Sequence, residues 1–253
     1  YIGGAIENHG LIDLVDTGLY WGQGDRHSTN DGTIAVTGGN LFLDQGNNGV
    51  LANYSGTDPL WDPGLITVAA GRTLILQGGT FDDAHGELAI SGGNLSLTYV
   101  TTTLDAGAAP AQITLYRSTL NVPGNLTHVT SVSESTINGP GTLLNAAGQT
   151  LSVDASTFNM NVDNQGTLEV RRALNLNGQL TTGLGSEIDI LSGYGPTYLN
   201  VSQGFTNQGT IELSAYVDTG YEAVLNVSGV LVNTPDASPV KFNTSLSAQA
   251  VKE

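Results

Sequence analysis

The chain has 253 residues, with 7 Lys and Arg against 23 Asp and Glu, a formal net charge of -16, and no Cys. The missing Cys excludes disulfides and thiolate metal sites, and so few cations argue against a phosphate-binding surface for nucleic acid or anionic lipid. Hydrophobic residues make up 39% and charged residues only 12%, against about 25% charged in an average domain, so Gly, Asn, Ser and Thr fill the places of charge in a chain that turns often yet can bury a core.

Taken in chain order, the sequence opens on "YIGGAIENHG" with no visible signal peptide, and it reads as a cut from a longer chain. The phrase "NHGLIDL" (Asn8 to Leu14) sets a pattern, Asn-x-Gly-x-apolar-x-apolar, which returns as "NDGTIAV" (Asn30 to Val36). Gly supplies a positive φ or a close backbone approach at the corner, and the alternation after it predicts a short strand with one buried face. "GGNLFL" follows as a second strand, then a long excursion, "ANYSGTDPLWDPG" (Ala52 to Gly64). "AAGRTLIL" (Ala69 to Leu76) and "LQGGTFD" lead into "AHGELAISGGNLSL" (Ala84 to Leu97), a near copy of Asn30 to Leu43. From Thr101 to Gly141 strands are expected but no register can be assigned. The pattern resumes with "AAGQTLSV" (Ala146 to Val153), "NQGTLEV" (Asn164 to Val170) and "NQGTIEL" (Asn207 to Leu213). Pro235 and Pro239 then end the rhythm, so residues 235–253 are expected to be a cap or a linker to a following module, after a solenoid over 1–234.

Gly10 to Gly32 and Gly49 to Gly71 are each 22 residues, and Gly148 to Gly166 is 18. A period of about 20 residues predicts an all-β, right-handed parallel β-helix (β-solenoid) of about 11–12 coils, roughly 55 Å long at ~4.8 Å per coil. An array of β-sandwiches is the competing fold. No helix and no transmembrane run of about 18 apolar residues is expected. The phrases "NQGTLEV", "NQGTIEL" and "GGNLSL" resemble those of right-handed parallel β-helices in bacterial surface and secreted proteins, such as filamentous-haemagglutinin-like adhesins and autotransporter passengers. The resemblance spans roughly residues 1–233. It implies export, a secreted or cell-surface location, and a structural or adhesive role as one segment of a larger protein with flanking modules. It assigns no site residues.

Several clusters are candidates for chemistry. The Lys and Arg residues are too scattered for a polysaccharide lyase, which must neutralise a uronate. "FDDAHG" (Phe81 to Gly86) superficially offers the carboxylate pair of a glycosidase, with a solvated turn as the competing reading. The stretches around "DTGLYWGQGDRHSTNDG" and "NYSGTDPLWDPG" gather Tyr20, Trp21, Tyr54 and Trp61 with Asp25, Asp31, Asp58 and Asp62. Rings that stack on a sugar face beside carboxylates suit carbohydrate, so Tyr20, Trp21, Tyr54, Trp61, Asp58 and Asp62 form the candidate glycan site. Plugging of the terminal coils is the alternative. Glycans or a host or neighbouring cell surface are the expected partners. No cofactor is required, although calcium is a candidate at Asp58 and Asp62, with Asp13 and Asp16 or Glu187 and Asp189 as further pairs. His9, His27, His85 and His128 are too dispersed to read as a zinc set. Asn164 and Asn207 read as ladder residues. The six Asn-x-Ser/Thr sequons, at Asn53, Asn94, Asn125, Asn200, Asn226 and Asn243, are about as many as chance provides.

Overall fold

The Asn-x-Gly phrases fold as they do because one coil must lie directly on the next. At Gly166 a Cβ would stand 2.3 Å from the Gln149 carbonyl oxygen, and at Gly209 it would stand 2.2 Å from that of Ser186. These two glycines therefore serve close approach. The positive φ falls elsewhere, as at Gly148 of "AAGQTLSV", where no atom lies within 4 Å of the added Cβ.

A computed structural model describes residues 1–16, 18–55, 62–83, 85–90, 92–104, 110–215, 220–234, 238 and 240–243. The protein is all-β, with no helix among the described residues. Its parallel strands stack as a β-solenoid of about nine turns, about 21 residues apart. That is fewer turns than the eleven or twelve expected. Steps of 17 to 26 residues are common, but the step from Asn53 to Asp83 takes 30. The excursion after Ser55 lengthens a turn instead of adding one. It begins as a small antiparallel pair, Tyr54–Ser55 with Asp62–Pro63. The chain divides into two compact units, Tyr1–Pro123 and Gly124–Glu253.

In the first unit each full turn carries three strands. One ladder runs Leu11–Leu14, Thr33–Val36, Leu65–Val68 and Glu87–Ile90. A second begins Leu19–Gly22, Leu41–Asp44, Thr73–Gln77 and Asn94–Thr98. A third includes His27–Asn30, Val50–Ala52, Thr80–Asp82 and Thr101–Thr103. The duplicated phrase is explained by the first two ladders: Ile34, Ile66 and Leu88 stack in one interior row, and Leu41, Leu74 and Leu95 in another, each no more than 1% exposed.

The second unit repeats the scheme with longer strands that turn corners. Thr150–Asn164 pairs with Thr167–Leu176, and its register shifts between Asp154 and Ser156. Ala155, at φ 48°, makes that corner, and Glu134 and Arg172 make two others at φ 49° and 55°. The Ser156 hydroxyl donates to the Asp154 carbonyl (2.8 Å) and accepts from the Ser135 amide (3.1 Å), which ties one corner to the next. Leu151, Leu168, Ile188 and Ile211 form a fully buried interior row. Truncating one such Leu to Ala typically costs about 2–5 kcal/mol. The ladder continues past residue 234, with Lys241–Asn243 in register with Glu212–Ser214.

Candidate functional site

Asparagine is used in two ways, and the contrast defines the site. Inside the first unit, Asn8 donates to Asn30 (2.6 Å), Asn30 to Asn53 (2.6 Å) and Asn53 to the Asp83 carboxylate (2.7 Å). The first three also donate to a strand carbonyl, of Thr33, Leu65 and Glu87 respectively. In the second unit Asn145 donates to Asn164 (2.7 Å) and Asn207 to Asn233 (2.8 Å). Between these pairs the Thr182 hydroxyl donates to Asn207 Oδ1 (3.3 Å). The ladder reading of Asn164 and Asn207 thus holds, with Thr182 on the coil that separates them. All of these side chains but Asn233, which is exposed at the end of the second ladder, are buried, so their hydrogen bonds are structural.

The residues of the expected glycan site are dispersed. Tyr20 is 38% exposed on the outer face, where its ring stacks between Tyr1 (5.4 Å) and Phe42 (4.8 Å). Its two ring faces are therefore occupied, leaving the edge for any ligand. Its hydroxyl donates to Asp44 (2.7 Å), which raises its pKa. Trp21, the next residue in the strand, points inward. It is 2% exposed and its indole N–H donates to the Gly4 carbonyl (3.0 Å), so strand alternation makes it core and removes it from any surface platform. The Tyr54 hydroxyl donates to Asp82 (2.6 Å) and its ring meets His85 edge-on at 5.2 Å. That bond, then burial and the Asp82 charge, pushes the Tyr54 pKa up to about 12. Asp58 and Trp61 lie outside the described residues, as does the side chain of Asp62.

Several of the remaining candidate acids are engaged singly. Asp82 and Asp83 of "FDDAHG" diverge: Asp82 takes the Tyr54 hydroxyl, while Asp83 is fully buried at the end of the amide ladder. Asp25 accepts the backbone amides of Asn47 and Asn48 (2.8 and 3.0 Å), which hold its carboxyl below the usual range. Asp31 lies 2.7 Å from His9, and Asp13 accepts from Thr37 (2.9 Å). Glu169, Asp189 and Glu212 stand in one row on successive coils. Burial, and then the charges of Glu212, Glu169 and Glu187, raise the Asp189 pKa. No group of three or more His, Asp or Glu able to hold a metal occurs among the described residues.

A concavity lies elsewhere, on the outer face of the second unit. It is an open trough of about 450 Å³. Two columns of side chains line it, two residues apart along each coil. Asn175, Asn200 and Asn226 are in register on successive coils, and Asn177, Ser202 and Ser228 form the parallel column. Asn226 donates to Asn200 (2.7 Å) and Asn200 to Asn175 (2.8 Å). Asn177 donates to Asn159 (2.6 Å), and Ser202 to the Asn177 carbonyl (2.9 Å). No ionisable side chain lines the trough, in a chain of net charge -16.

No family model, curated protein or solved structure matches the chain. The trough's chemistry must be read from its own residues. Its signal is present in the sequence as the triplets "NLN", "NVS" and "NVS" at Asn175, Asn200 and Asn226, each a polar-apolar-polar strand segment. Read as sequons, two of these three asparagines look accidental, whereas read as strand alternation they mark one outer face. A related phrase, Ser-Thr-apolar-Asn, recurs at Ser118, Ser135 and Ser156 and would have given the missing register in the middle of the chain.

Proposed function

We propose that the chain is a structural and adhesive β-solenoid, a non-catalytic segment of a larger exported bacterial surface protein. In this reading it is secreted or held at the cell surface and meets glycans or a neighbouring or host cell. One observation carries it: a coil-to-coil amide ladder inside is combined with a regular, uncharged polar face outside. The inner ladder fixes register and resists shear between coils. The outer face repeats one chemistry from coil to coil, which suits attachment to a repetitive surface more than turnover of a small molecule. Asp58 and Asp62 remain candidate calcium ligands in this proposal, so calcium is treated as a variable of the test.

Beads coated with the protein should resist shear detachment from cells or glycan-coated glass better than albumin-coated beads. The comparison is run in calcium and in chelator. Detachment equal to albumin on every surface in both buffers would sink the adhesive reading. Release of new reducing ends from a polysaccharide would overturn the non-catalytic one.

A further inference from the structure

We infer that the trough over Asn175, Asn200 and Asn226 binds an extended, uncharged polysaccharide lying along the stacking direction. The inference deepens the proposed adhesive function and rests on it. Its first support is the valence of the amides. A carboxamide has two N–H donors and two acceptor lone pairs. Asn200 uses one donor toward Asn175 and one lone pair toward Asn226, and therefore keeps one of each. The same holds in part for its neighbours; the exposed Ser202 hydroxyl, whose donor goes to the Asn177 carbonyl, adds an acceptor, and the exposed Ser228 hydroxyl adds a group of both kinds. A paired donor and acceptor, repeated every ~4.8 Å along the stack, matches a ligand that presents hydroxyls at a similar repeat, as a chain of pyranose rings does.

Charge and backbone pairing narrow the class. An acidic glycan would approach a strongly negative protein at a lining that offers it no cation. Nucleic acid fails for the same reason. A peptide adding as a strand needs an unpaired backbone edge, but here Thr167–Leu176, Thr197–Val201 and Ala223–Val227 already pair with one another in parallel. Recognition must go through side chains, and these are hydroxyls and amides. An aromatic group lies beside them: Tyr198 is 36% exposed and sits two residues before Asn200, so it projects to the same side of the strand. Its ring can border a sugar while the amides take the hydroxyls.

The test is affinity electrophoresis of the folded chain through native gels containing hydroxyethylcellulose, xylan or galactomannan, with alginate as the acidic comparison. Retardation is expected in at least one neutral gel and not in alginate. Asn200→Ala, Tyr198→Ala and Ser228→Arg should each weaken binding by about tenfold or more, equivalent to about 1.4 kcal/mol. Asn200→Ala also cuts the outer ladder. Ser228→Arg fills the trough from an exposed position and should leave the circular dichroism melt unchanged, so its loss of binding cannot be unfolding. Three results would overturn the inference: no retardation in any neutral gel, equal retardation in alginate, or binding that survives both Asn200→Ala and Ser228→Arg. Faceted ice growth without polysaccharide binding would also overturn it, since the array would then be ordering water. If coated beads still adhere while the gels show nothing, the trough fails and the adhesive reading stands. If both fail, both readings fall.

Discussion

Asn164 is where the inner ladder can be weighed. Its Oδ1 accepts from Asn145 at 2.7 Å and its Nδ2 donates to the Glu187 carbonyl at 2.8 Å, with the side chain fully buried. Asn164→Ala removes both bonds. Asn145 keeps its bond to the Thr167 carbonyl (2.9 Å), whereas the Glu187 carbonyl loses this donor without gaining access to water. At about 1 kcal/mol per net hydrogen bond, plus a desolvation penalty of about 1–3 kcal/mol for a stranded buried group, the expected loss is about 2–4 kcal/mol. The control is Asn159→Ala, which cuts the exposed ladder to Asn138 and Asn177 and should cost under about 1 kcal/mol, because water replaces the partners. Urea unfolding followed by far-UV circular dichroism measures both, with the slope m checked for a common mechanism. Asn164→Asp sharpens the test. It keeps the acceptor for Asn145 but turns a carboxylate toward the Glu187 carbonyl, so its carboxyl pKa should rise on folding. The defect should be greatest at neutral pH and shrink as pH falls and the protonated acid regains a donor. If Asn164→Ala costs no more than Asn159→Ala, the inner ladder does not hold the coils.

Gly166→Ala should destabilise by several kcal/mol through its contact with the Gln149 carbonyl, while Gly10→Ala, with nothing within 4 Å, should be near neutral in the same unfolding assay. Asp189 titrates above the ordinary carboxylate range because of burial and the acids around it, so the folded state binds protons more readily than the unfolded one. Its penalty is absent below the ordinary range, grows as pH rises through the raised pKa and is complete above it. Asp189→Asn should therefore stabilise by under about 1 kcal/mol at pH 7 and have no effect near pH 3, measured as melting temperature against pH. Tyr54 should ionise near pH 12. A difference titration at the phenolate absorbance between wild type and Asp82→Ala should show one tyrosine moving to lower pH, and coincident curves would refute the Tyr54–Asp82 bond.

How much of this was legible depended on how local the cause was. The strand after each Asn-x-Gly phrase is written in the alternation of four residues, so the β-solenoid could be read directly; the register between Asn30 to Leu43 and Ala84 to Leu97 could not, because a whole coil, with Leu65–Val68 and Thr73–Gln77, lies between them. The number of turns was not, because a residue count cannot distinguish an excursion from a coil, and Asn53 to Asp83 spends 30 residues on one step. Trp21 shows a different failure. Its neighbours Tyr20 and Asp25 suggested a surface aromatic, yet alternation in "LYWG" already demanded that Tyr20 and Trp21 face opposite ways. The trough was hidden because its columns join residues 25 and 26 positions apart. Each triplet alone is an ordinary polar stretch, and only the register brings three of them side by side.

The two asparagine systems also show why one sequence feature supports both a structural and a binding reading without contradiction. Inside, each ladder amide reaches a strand carbonyl as well as its column neighbour, Asn145 that of Thr167 and Asn164 that of Glu187, and both side chains are buried away from any ligand. Outside, the ladder bonds run only along the column, and Asn175 and Asn177 stand exposed. The inner amides are thus expected to register as stability and to be silent in binding. The outer ones should do the reverse, because the water that replaces a lost partner there makes truncation cheap for folding but removes a contact from the ligand. A variant set spanning both ladders, scored by melting temperature and by gel retardation, should therefore fall on two separate axes. If the same substitutions moved both quantities together, the trough would be a by-product of stacking rather than a site.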